Sequence, residues 1–312
     1  MSILLIGEFS EAEYAQWHET LAACLPRGET LYLPHDDFDP ASIDIALVAN
    51  PPVRSLAPLP NLRLIQSLWA GVDRLLSDPT LPPDVPIVRL VDSNLTQAMT
   101  ECALAAIMFL HRQLPAYARQ QASSVWKKLP QPLAQERRVG VLGFGQLGRA
   151  VAQALVALSF DVAAWSAGAH TDERIEIWSG PAGLRSLIER TDILINLLPL
   201  TPKTSGILNA QLFRQLPKGA SIINLARGRH LNENHLLEAL AEGQISCAIL
   251  DVFEDEPLPP EHPFWSHPRI TVLPHIAAVT DVKTAAKIAA QNVEEFRAGR
   301  MPAPLVDRSR GY

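Results

Sequence analysis

Short apolar runs recur along the chain, and amphipathic stretches separate them. The first run, at residues 3–7, leads into a segment where Ser10 and Glu13 have the spacing of a capping box, which predicts the start of a helix. Apolar runs of this length are typical of strands that are buried on both faces of a parallel sheet. The alternation of such strands with helices predicts an α/β protein.

The N-terminal third of the chain forms one group of predicted elements, joined by proline-rich connections. Further strands are predicted at residues 30–33, 43–49, 62–66 and 87–90. We interpret this region as a small parallel α/β domain, and it contains no glycine motif. A long, largely apolar helix is predicted to follow, from about residue 97 to about residue 112. Residues 127–137, with two prolines and mixed charge, predict a surface connection.

A glycine motif lies in the middle of the chain. An apolar strand beginning at residue 138 ends in the spacing G-x-G-x-x-G, formed by Gly143, Gly145 and Gly148, and an amphipathic segment follows. A second apolar strand at residues 161–165 completes a βαβ unit. In such a unit the glycines permit the turn, the approach of phosphates to the backbone and close helix–strand packing. The helix dipole also favours an anion there. This pattern predicts a dinucleotide site.

The remaining sequence continues the alternation of strands and helices. Strands are predicted at residues 192–196, 220–225, 245–250 and 270–273, and helices at residues 209–216, 231–242 and 280–297. Residues 251–268 are acidic and rich in proline, and they predict an ordered loop.

Polar residues follow three of these strands, where ligands bind in open α/β sheets. Arg227 could bind a carboxylate through a bidentate pair of hydrogen bonds, or it could be a surface arginine paired with an acid. The acids of residues 251–256 have the composition of a solvated loop. His275 could be a packed histidine with no catalytic role, and a catalytic role is indicated only if an acid orients it. The residues alone leave these alternatives open.

Composition narrows the class of protein. The 312 residues predict two domains, and 47% hydrophobic with 19% charged residues is ordinary globular composition. The net charge of −6 argues against nucleic-acid and anionic-membrane partners. Three widely spaced cysteines predict neither a disulfide framework nor a metal site, and they fit the cytoplasm. No secretory signal is apparent, and the apolar run at residues 102–110 is too short to span a bilayer.

Four motifs, in order along the chain, together resemble the D-isomer-specific 2-hydroxyacid dehydrogenase family. They are residues 143–148, 224–228, 251–258 and 274–277. Residues 67–73 and the chain length are most similar to the glyoxylate/hydroxypyruvate reductase A subgroup of that family. The resemblance covers essentially the whole chain.

The resemblance implies two Rossmann-like or flavodoxin-like parallel-sheet domains, with the cofactor domain inserted in the smaller one. The substrate-binding domain is expected at residues 1–98 plus 279–312, and the NAD(P)-binding domain at residues 99–278. It also implies a homodimer and reduction of a short 2-oxo acid to the D-2-hydroxy acid, with hydride from the nicotinamide. A broader D-2-hydroxyacid dehydrogenase and a non-catalytic NAD(H)-sensing corepressor on the same fold are the alternatives.

The resemblance also implies roles for individual residues. Arg227 would bind the substrate carboxylate and 2-oxo oxygen, His275 would act as acid and base, and Glu256 would be its partner because it alone precedes Pro257. The backbone of Trp69, Ala70 and Gly71 would hold the carboxylate, and Trp265 would wall the substrate pocket or, alternatively, fill the core. The cofactor would contact Gly143, Gly145, Gln146, Leu147, Gly148, Ser166, His170, Leu198, Pro199, Leu200, Ala226, Arg227, Asp251 and His275. No metal is expected.

The turn after the strand at residues 161–165 bears on the choice of cofactor. NAD-specific sites place an acid there to bind the ribose hydroxyl, and this chain has none. The reductase subgroup has basic residues in that turn, whereas this chain offers only Ser166, His170, Thr171 and Arg174. The missing acid favours NADPH over NADH.

Overall fold

Two parallel β-sheets organise the chain, each in a unit of its own. The computed structural model of the protein describes residues 2–168 and 170–312. One unit comprises Met1–Leu95 and Thr280–Tyr312, and the other comprises Thr96–Val279.

The described strands and helices alternate along most of the chain. In order they are β1 (Ser2–Gly7), α1 (Glu11–Cys24), β2 (Thr30–Tyr32), β3 (Ile43–Ala49), β4 (Leu64–Ser67), α2 (Asp73–Leu76), β5 (Ile87–Val88), α3 (Ser93–His111), α4 (Leu114–Ala122), β6 (Arg138–Leu142), α5 (Gln146–Ala157), β7 (Asp161–Trp165), β8 (Glu176–Trp178), α6 (Gly180–Arg190), β9 (Ile193–Asn196), α7 (Ala210–Gln215), β10 (Ala220–Asn224), α8 (Glu233–Ala241), β11 (Ile245–Leu250), β12 (Ile270–Val272) and α9 (Val282–Arg297). Short 3₁₀ turns lie at Pro40–Ser42, Ala134–Glu136, Gly228–His230 and Pro263–Ser266.

The sheet of the first unit has the strand order β2-β1-β3-β4-β5 among the described residues, and every pairing is parallel. This is the flavodoxin-like order. Helices α1 and α9 cover one face, where Trp17 and Leu21 meet Ala286 and Val293 in a buried cluster. The predicted capping box begins α1, since Ser10 Oγ accepts from the Glu13 N–H at 3.3 Å and the Glu13 carboxylate accepts from the Ser10 N–H at 2.8 Å.

The sheet of the second unit has the order β12-β11-β10-β9-β6-β7-β8 in the described chain, again parallel throughout. Strand order reverses between β6 and β9, which is the switch point of a Rossmann sheet. Helices α3 and α5 bury Ile107 and Leu155 against one face, and α6 to α8 bury Phe213 and Leu236 against the other. The predicted fold class, two parallel-sheet α/β domains, is confirmed.

The described residues contain neither a helix suited to span a membrane nor a cluster of metal-ligating side chains. Between residues 2 and 312, with Ala169 left aside, no helix has the length and apolar character that a membrane span requires. The same residues contain no group of three or more His, Cys, Asp and Glu side chains that could hold a metal ion. Cys24, Cys102 and Cys247 are free thiols.

Candidate active site

The loops of the candidate site leave one edge of the second unit's sheet. The strand ends are aligned because one row of paired positions runs across the sheet. That row is Trp165, Leu142, Asn196, Asn224, Leu250 and Val272. The glycine turn follows β6, Arg227 follows β10, Asp251 follows β11 and His275 follows β12. Alignment of the strands therefore gathers residues that are far apart in the sequence.

The three glycines of the turn after β6 have different surroundings. Gly143 has a φ of +100°, and a Cβ there would lie 2.8 Å from the Leu197 carbonyl oxygen. A Cβ on Gly148 would lie 1.9 Å from the Gly143 carbonyl oxygen, so helix and turn are in direct contact. At Gly145 a Cβ would meet no atom within 4 Å. Two of the glycines thus build the turn, and the third leaves space beside it.

The N-terminus of α5 opens onto that space. Gly145 is the N-cap residue, and no side chain among the described residues caps it. Gln146 and Leu147 begin the helix, so their N–H groups lack helical acceptors, and the helix dipole adds positive potential. An uncapped helix end beside open space at a switch point fits the pyrophosphate of a dinucleotide.

Two buried amides connect the loops after β9 and β10. Asn196 accepts from the Leu198 N–H at 3.2 Å and donates to Asn224 Oδ1 at 3.0 Å. Asn224 in turn donates to the Arg227 carbonyl oxygen at 2.9 Å and accepts from the Ala226 N–H at 3.3 Å. Both side chains are fully buried. The pair fixes the backbone on each side of Arg227 and at the start of the Leu198 loop.

His230 also holds these loops together, although sequence reasoning did not single it out. The imidazole is fully buried, with Nδ1 3.2 Å from the Arg227 carbonyl oxygen and Nε2 3.3 Å from that of Pro199. The Arg227 side chain is half-buried, and its Nη1 donates to the Ala226 carbonyl oxygen at 2.7 Å. Asn196 was likewise not predicted. The only signal in the sequence was a polar residue at the end of an apolar strand.

Asp251 fixes the turn that carries His275. Its carboxylate accepts from the Ile276 N–H at 2.7 Å and the Ala277 N–H at 2.9 Å, and its carbonyl oxygen accepts from the His275 N–H at 2.9 Å. Burial raises the pKa of Asp251, against the effect of these two hydrogen bonds to its carboxylate. His275 has a φ of +55°, a left-handed conformation that is uncommon for a residue with a side chain. The Asp251 hydrogen bonds stabilise that conformation.

His275 and Glu256 form a charge pair at the sheet edge. His275 Nδ1 lies 2.7 Å from Glu256 Oε2, and Glu256 Oε1 accepts from the Phe253 N–H at 2.9 Å. The hydrogen bond to Glu256 raises the pKa of His275, although partial burial opposes it. Burial would raise the pKa of Glu256, but the hydrogen bonds from His275 and Phe253 outweigh it and lower that pKa. This arrangement favours an imidazolium whose Nε2 can deliver a proton.

The other predicted residues are in varied surroundings. Trp265 is 53% exposed and donates to the Pro259 carbonyl oxygen at 2.9 Å, so its ring does not fill the core. Ser166 is buried, and its Oγ accepts from the Gly168 N–H at 3.4 Å. His170 contacts the Phe144 ring edge-on, with centroids 6.0 Å apart.

Trp69, Ala70 and Gly71 follow β4 in the first unit. The Trp69 N–H donates to Ser67 Oγ at 3.1 Å. The Trp69 ring packs in an aromatic cluster with Trp17, at a centroid distance of 6.0 Å, and with Phe9, at 6.2 Å. The backbone at Trp69 is therefore held in place from both sides.

A Rossmann sheet with an open glycine turn and a paired histidine and glutamate at the same edge defines an NAD(P)-dependent dehydrogenase. The family model for the NAD-binding domain of D-isomer specific 2-hydroxyacid dehydrogenases matches residues 104–277. The chain belongs to the D-isomer specific 2-hydroxyacid dehydrogenase family, and the resemblance drawn from its motifs is confirmed.

Relatives and solved structures match over the full chain. Glyoxylate/hydroxypyruvate reductase A of Yersinia enterocolitica is 42% identical, and that of Serratia proteamaculans 41%, with 100% of both chains covered in each case. A D-isomer specific 2-hydroxyacid dehydrogenase from Xanthobacter autotrophicus Py2, in complex with NADPH and MES, superposes with a TM-score of 0.93 at 37% identity, covering 100% of this chain and 99% of that one. An NADPH-dependent glyoxylate/hydroxypyruvate reductase from Sinorhizobium meliloti, in complex with NADP and sulfate, gives 0.91 at 36% identity with the same coverage.

Proposed function

We propose that this protein reduces glyoxylate, hydroxypyruvate or a closely related short 2-oxo acid to the D-2-hydroxy acid and prefers NADPH. The observation that carries the proposal is the 2.7 Å pair of His275 and Glu256 at the sheet edge onto which the glycine turn opens. The names of the relatives from Yersinia and Serratia support the substrate class. The NADPH and NADP in the complexes from Xanthobacter and Sinorhizobium support the cofactor. These relatives favour the reductase over a broader dehydrogenase or a corepressor.

Substrate binding is assigned to charged and backbone groups. Arg227 would pair with the substrate carboxylate and polarise the neighbouring 2-oxo oxygen, as a guanidinium can do with its fork of donors. The backbone of Trp69, Ala70 and Gly71 would contribute further donors to the carboxylate. The exposed Trp265 ring is proposed to wall the pocket.

Proton transfer is assigned to His275. Bound NADPH supplies the hydride that adds to C2 of the substrate. Protonated His275 would give its proton to the oxygen that becomes negative, and Arg227 would stabilise that oxygen. Glu256 would keep His275 protonated and fix its ring, because it occupies Nδ1 and leaves Nε2 toward the substrate. Asp251, Asn224 and His230 are positioning residues in this scheme.

The cofactor is assigned to the edge of the second sheet. The turn at Gly143, Gly145 and Gly148 with the first residues of α5, Gln146 and Leu147, would hold the pyrophosphate. The loops after β7, β9, β10, β11 and β12 would hold the rest, through the residues predicted from the sequence. Those residues are Ser166, His170, Leu198, Pro199, Leu200, Ala226, Arg227, Asp251 and His275.

Steady-state kinetics with purified protein test the proposal. Glyoxylate and hydroxypyruvate should consume the 340 nm absorbance of NADPH, with a higher kcat/KM than with NADH. Chiral analysis of the hydroxypyruvate product should give D-glycerate. Lack of turnover with every short 2-oxo acid of a panel, with both cofactors, would contradict the enzyme assignment. We also propose a homodimer in the cytoplasm, in keeping with the three free thiols.

A further inference from the structure

Two groups able to carry positive charge contact one aromatic ring beside the glycine turn. Phe144 lies between Gly143 and Gly145, and its ring is buried. The Arg149 guanidinium, in the first turns of α5, lies over this ring with Cζ 5.2 Å from the centroid. The His170 imidazole, in the turn after β7, contacts the same ring, with the two ring centroids 6.0 Å apart. The ring thus links the pyrophosphate turn to the turn that contacts the adenosine ribose in Rossmann folds.

Both groups contact the Phe144 ring, yet they face solvent. A Cβ added to Gly168 would lie 3.6 Å from His170 Nε2, so the imidazole is folded back over its own turn. Arg149 and His170 are both exposed residues. Within residues 2–168 and 170–312, the Arg149 guanidinium forms no salt bridge. A cation held on an aromatic face without a carboxylate partner remains available to an anion.

Asp172, whose carboxylate is influenced by the Arg149 charge, is occupied by other donors. Asp172 accepts from Gln153 Nε2 at 3.1 Å and from the Arg174 N–H at 3.0 Å. The backbone hydrogen bond from Arg174 is the main cause that lowers the pKa of Asp172, and the Arg149 charge contributes to the same direction. Asp172 is seven residues beyond the end of β7, not at the strand end where an acid would bind the ribose hydroxyl. Arg149 therefore lies close to the turn without being neutralised in an ion pair.

We propose that Arg149, assisted by His170, binds the 2′-phosphate of NADPH and replaces the arginines that are missing from the turn after β7. This inference rests on the proposed function, since it assumes that NADPH is the cofactor. A guanidinium is suited to a phosphate because its N–H groups match two of the oxygens. Cofactor selectivity would then come from the helix after the glycine motif more than from the turn itself.

Binding of cofactor fragments tests the inference without turnover. Isothermal titration calorimetry of the wild type should give a lower Kd for 2′,5′-ADP than for 5′-ADP. Arg149→Ala should raise the Kd for 2′,5′-ADP about tenfold or more, which is the loss expected for one charge-assisted hydrogen bond. The Kd of this variant for 5′-ADP should stay within about twofold of the wild-type value. Arg149→Lys should retain part of the affinity. His170→Ala should raise the Kd for 2′,5′-ADP about two- to tenfold and leave the Kd for 5′-ADP unchanged. Fluorescence titrations with NADPH and NADH should show the same pattern.

Arg214→Ala removes an exposed arginine on α7 and controls for net charge, so it should change neither Kd. Arg174→Ala tests the neighbouring arginine. Loss of 2′,5′-ADP affinity in Arg174→Ala but not in Arg149→Ala would overturn the assignment. Equal losses for both ligands in Arg149→Ala would mean that Arg149 supports the turn through Phe144, which also overturns it. A wild type that prefers 5′-ADP and NADH, yet reduces glyoxylate, would overturn this inference and the proposed NADPH preference, but not the proposed reduction of 2-oxo acids. A wild type that binds neither cofactor would overturn the proposed function with it.

Discussion

The pairing of Glu256 with His275 makes a specific prediction about the pH dependence of catalysis. In the proposed mechanism His275 must be protonated for reduction, so activity should be present below the pKa of His275 and be lost as the pH rises through it. The hydrogen bond that His275 donates to the Glu256 carboxylate raises that pKa. Glu256→Gln removes the carboxylate charge, and the loss of activity should therefore move to lower pH. The profile of kcat/KM for hydroxypyruvate against pH measures this shift.

Glu254 offers a matched control for that experiment. It is exposed in the same acidic loop, and Glu254→Gln makes the same chemical change. Its pH profile should match the wild type. If Glu256→Gln also has the wild-type profile, Glu256 is not the partner that controls the His275 proton.

Arg227 should contribute to both binding and catalysis. Arg227→Ala removes the proposed partner of the substrate carboxylate and of the developing negative oxygen. We expect KM to rise and kcat to fall by about 10²–10³-fold, as for the loss of a donor to an oxyanion. Initial-rate kinetics provide both constants. Arg229→Ala, which removes an exposed arginine from the 3₁₀ turn that follows Arg227, is the control. An unchanged KM with a small loss of kcat would contradict this role.

Single residues differ in how far the sequence identifies them. Arg227 and His275 could be proposed because each is polar and follows an apolar strand, and the family motif then distinguishes Glu256 from Glu254. Asn196 and His230 could not, because their importance lies in hydrogen bonds to the backbone of other loops. Such contacts depend on tertiary packing, which no local pattern contains.

At the scale of the strand–turn–helix element, two glycines should respond differently to the same substitution. Gly148→Ala places a methyl group 1.9 Å from the Gly143 carbonyl oxygen and should destabilise the fold by about 1–3 kcal/mol or more. Gly145→Ala meets no atom within 4 Å and should change the free energy of unfolding by less than about 1 kcal/mol. Because its methyl group occupies the space proposed for the pyrophosphate, NADPH binding should weaken about tenfold or more. Urea unfolding and NADPH fluorescence measure the two effects.

Each glycine variant is the control for the other. Normal NADPH affinity in Gly145→Ala would show that the cofactor does not approach the backbone there. Unchanged stability in Gly148→Ala would contradict the close contact of α5 with the turn.

Elements were predictable where a local signal marks them. The capping box at Ser10 and the apolar runs of β3 and β11 correspond closely to the structure. The long helix was predicted from about residue 97, but α3 begins at Ser93, where the Asp92 carboxylate accepts from the Asn94 N–H at 2.8 Å. Helix α4 was not predicted. It begins directly after Gln113, which has a φ of +57°, and the apolar pattern of the sequence does not mark the break between α3 and α4.

At the scale of the whole molecule, the proposed homodimer has a candidate surface in the segment after α4. Hydrogen bonds hold this segment on the helix, since the Leu129 N–H donates to Tyr117 Oη at 3.0 Å and the Lys127 N–H to Gln120 Oε1 at 3.2 Å. Trp126 is nevertheless 97% exposed, and Leu133 is 63% exposed. Large apolar side chains presented on an ordered segment are typical of protein interfaces, and tryptophan is enriched among residues that dominate binding.

Trp126→Ser should therefore weaken self-association. A buried interface tryptophan typically contributes about 2 kcal/mol or more, so the dimer dissociation constant should rise by about thirtyfold or more. Sedimentation velocity over a range of protein concentrations measures this change. Trp265→Ser removes another exposed tryptophan from the same unit and should leave the dimer intact. A monomeric wild type at micromolar concentration would contradict the homodimer. A variant dimer as stable as the wild type would place the interface elsewhere, because an exposed Trp126 would then have no partner in the assembly.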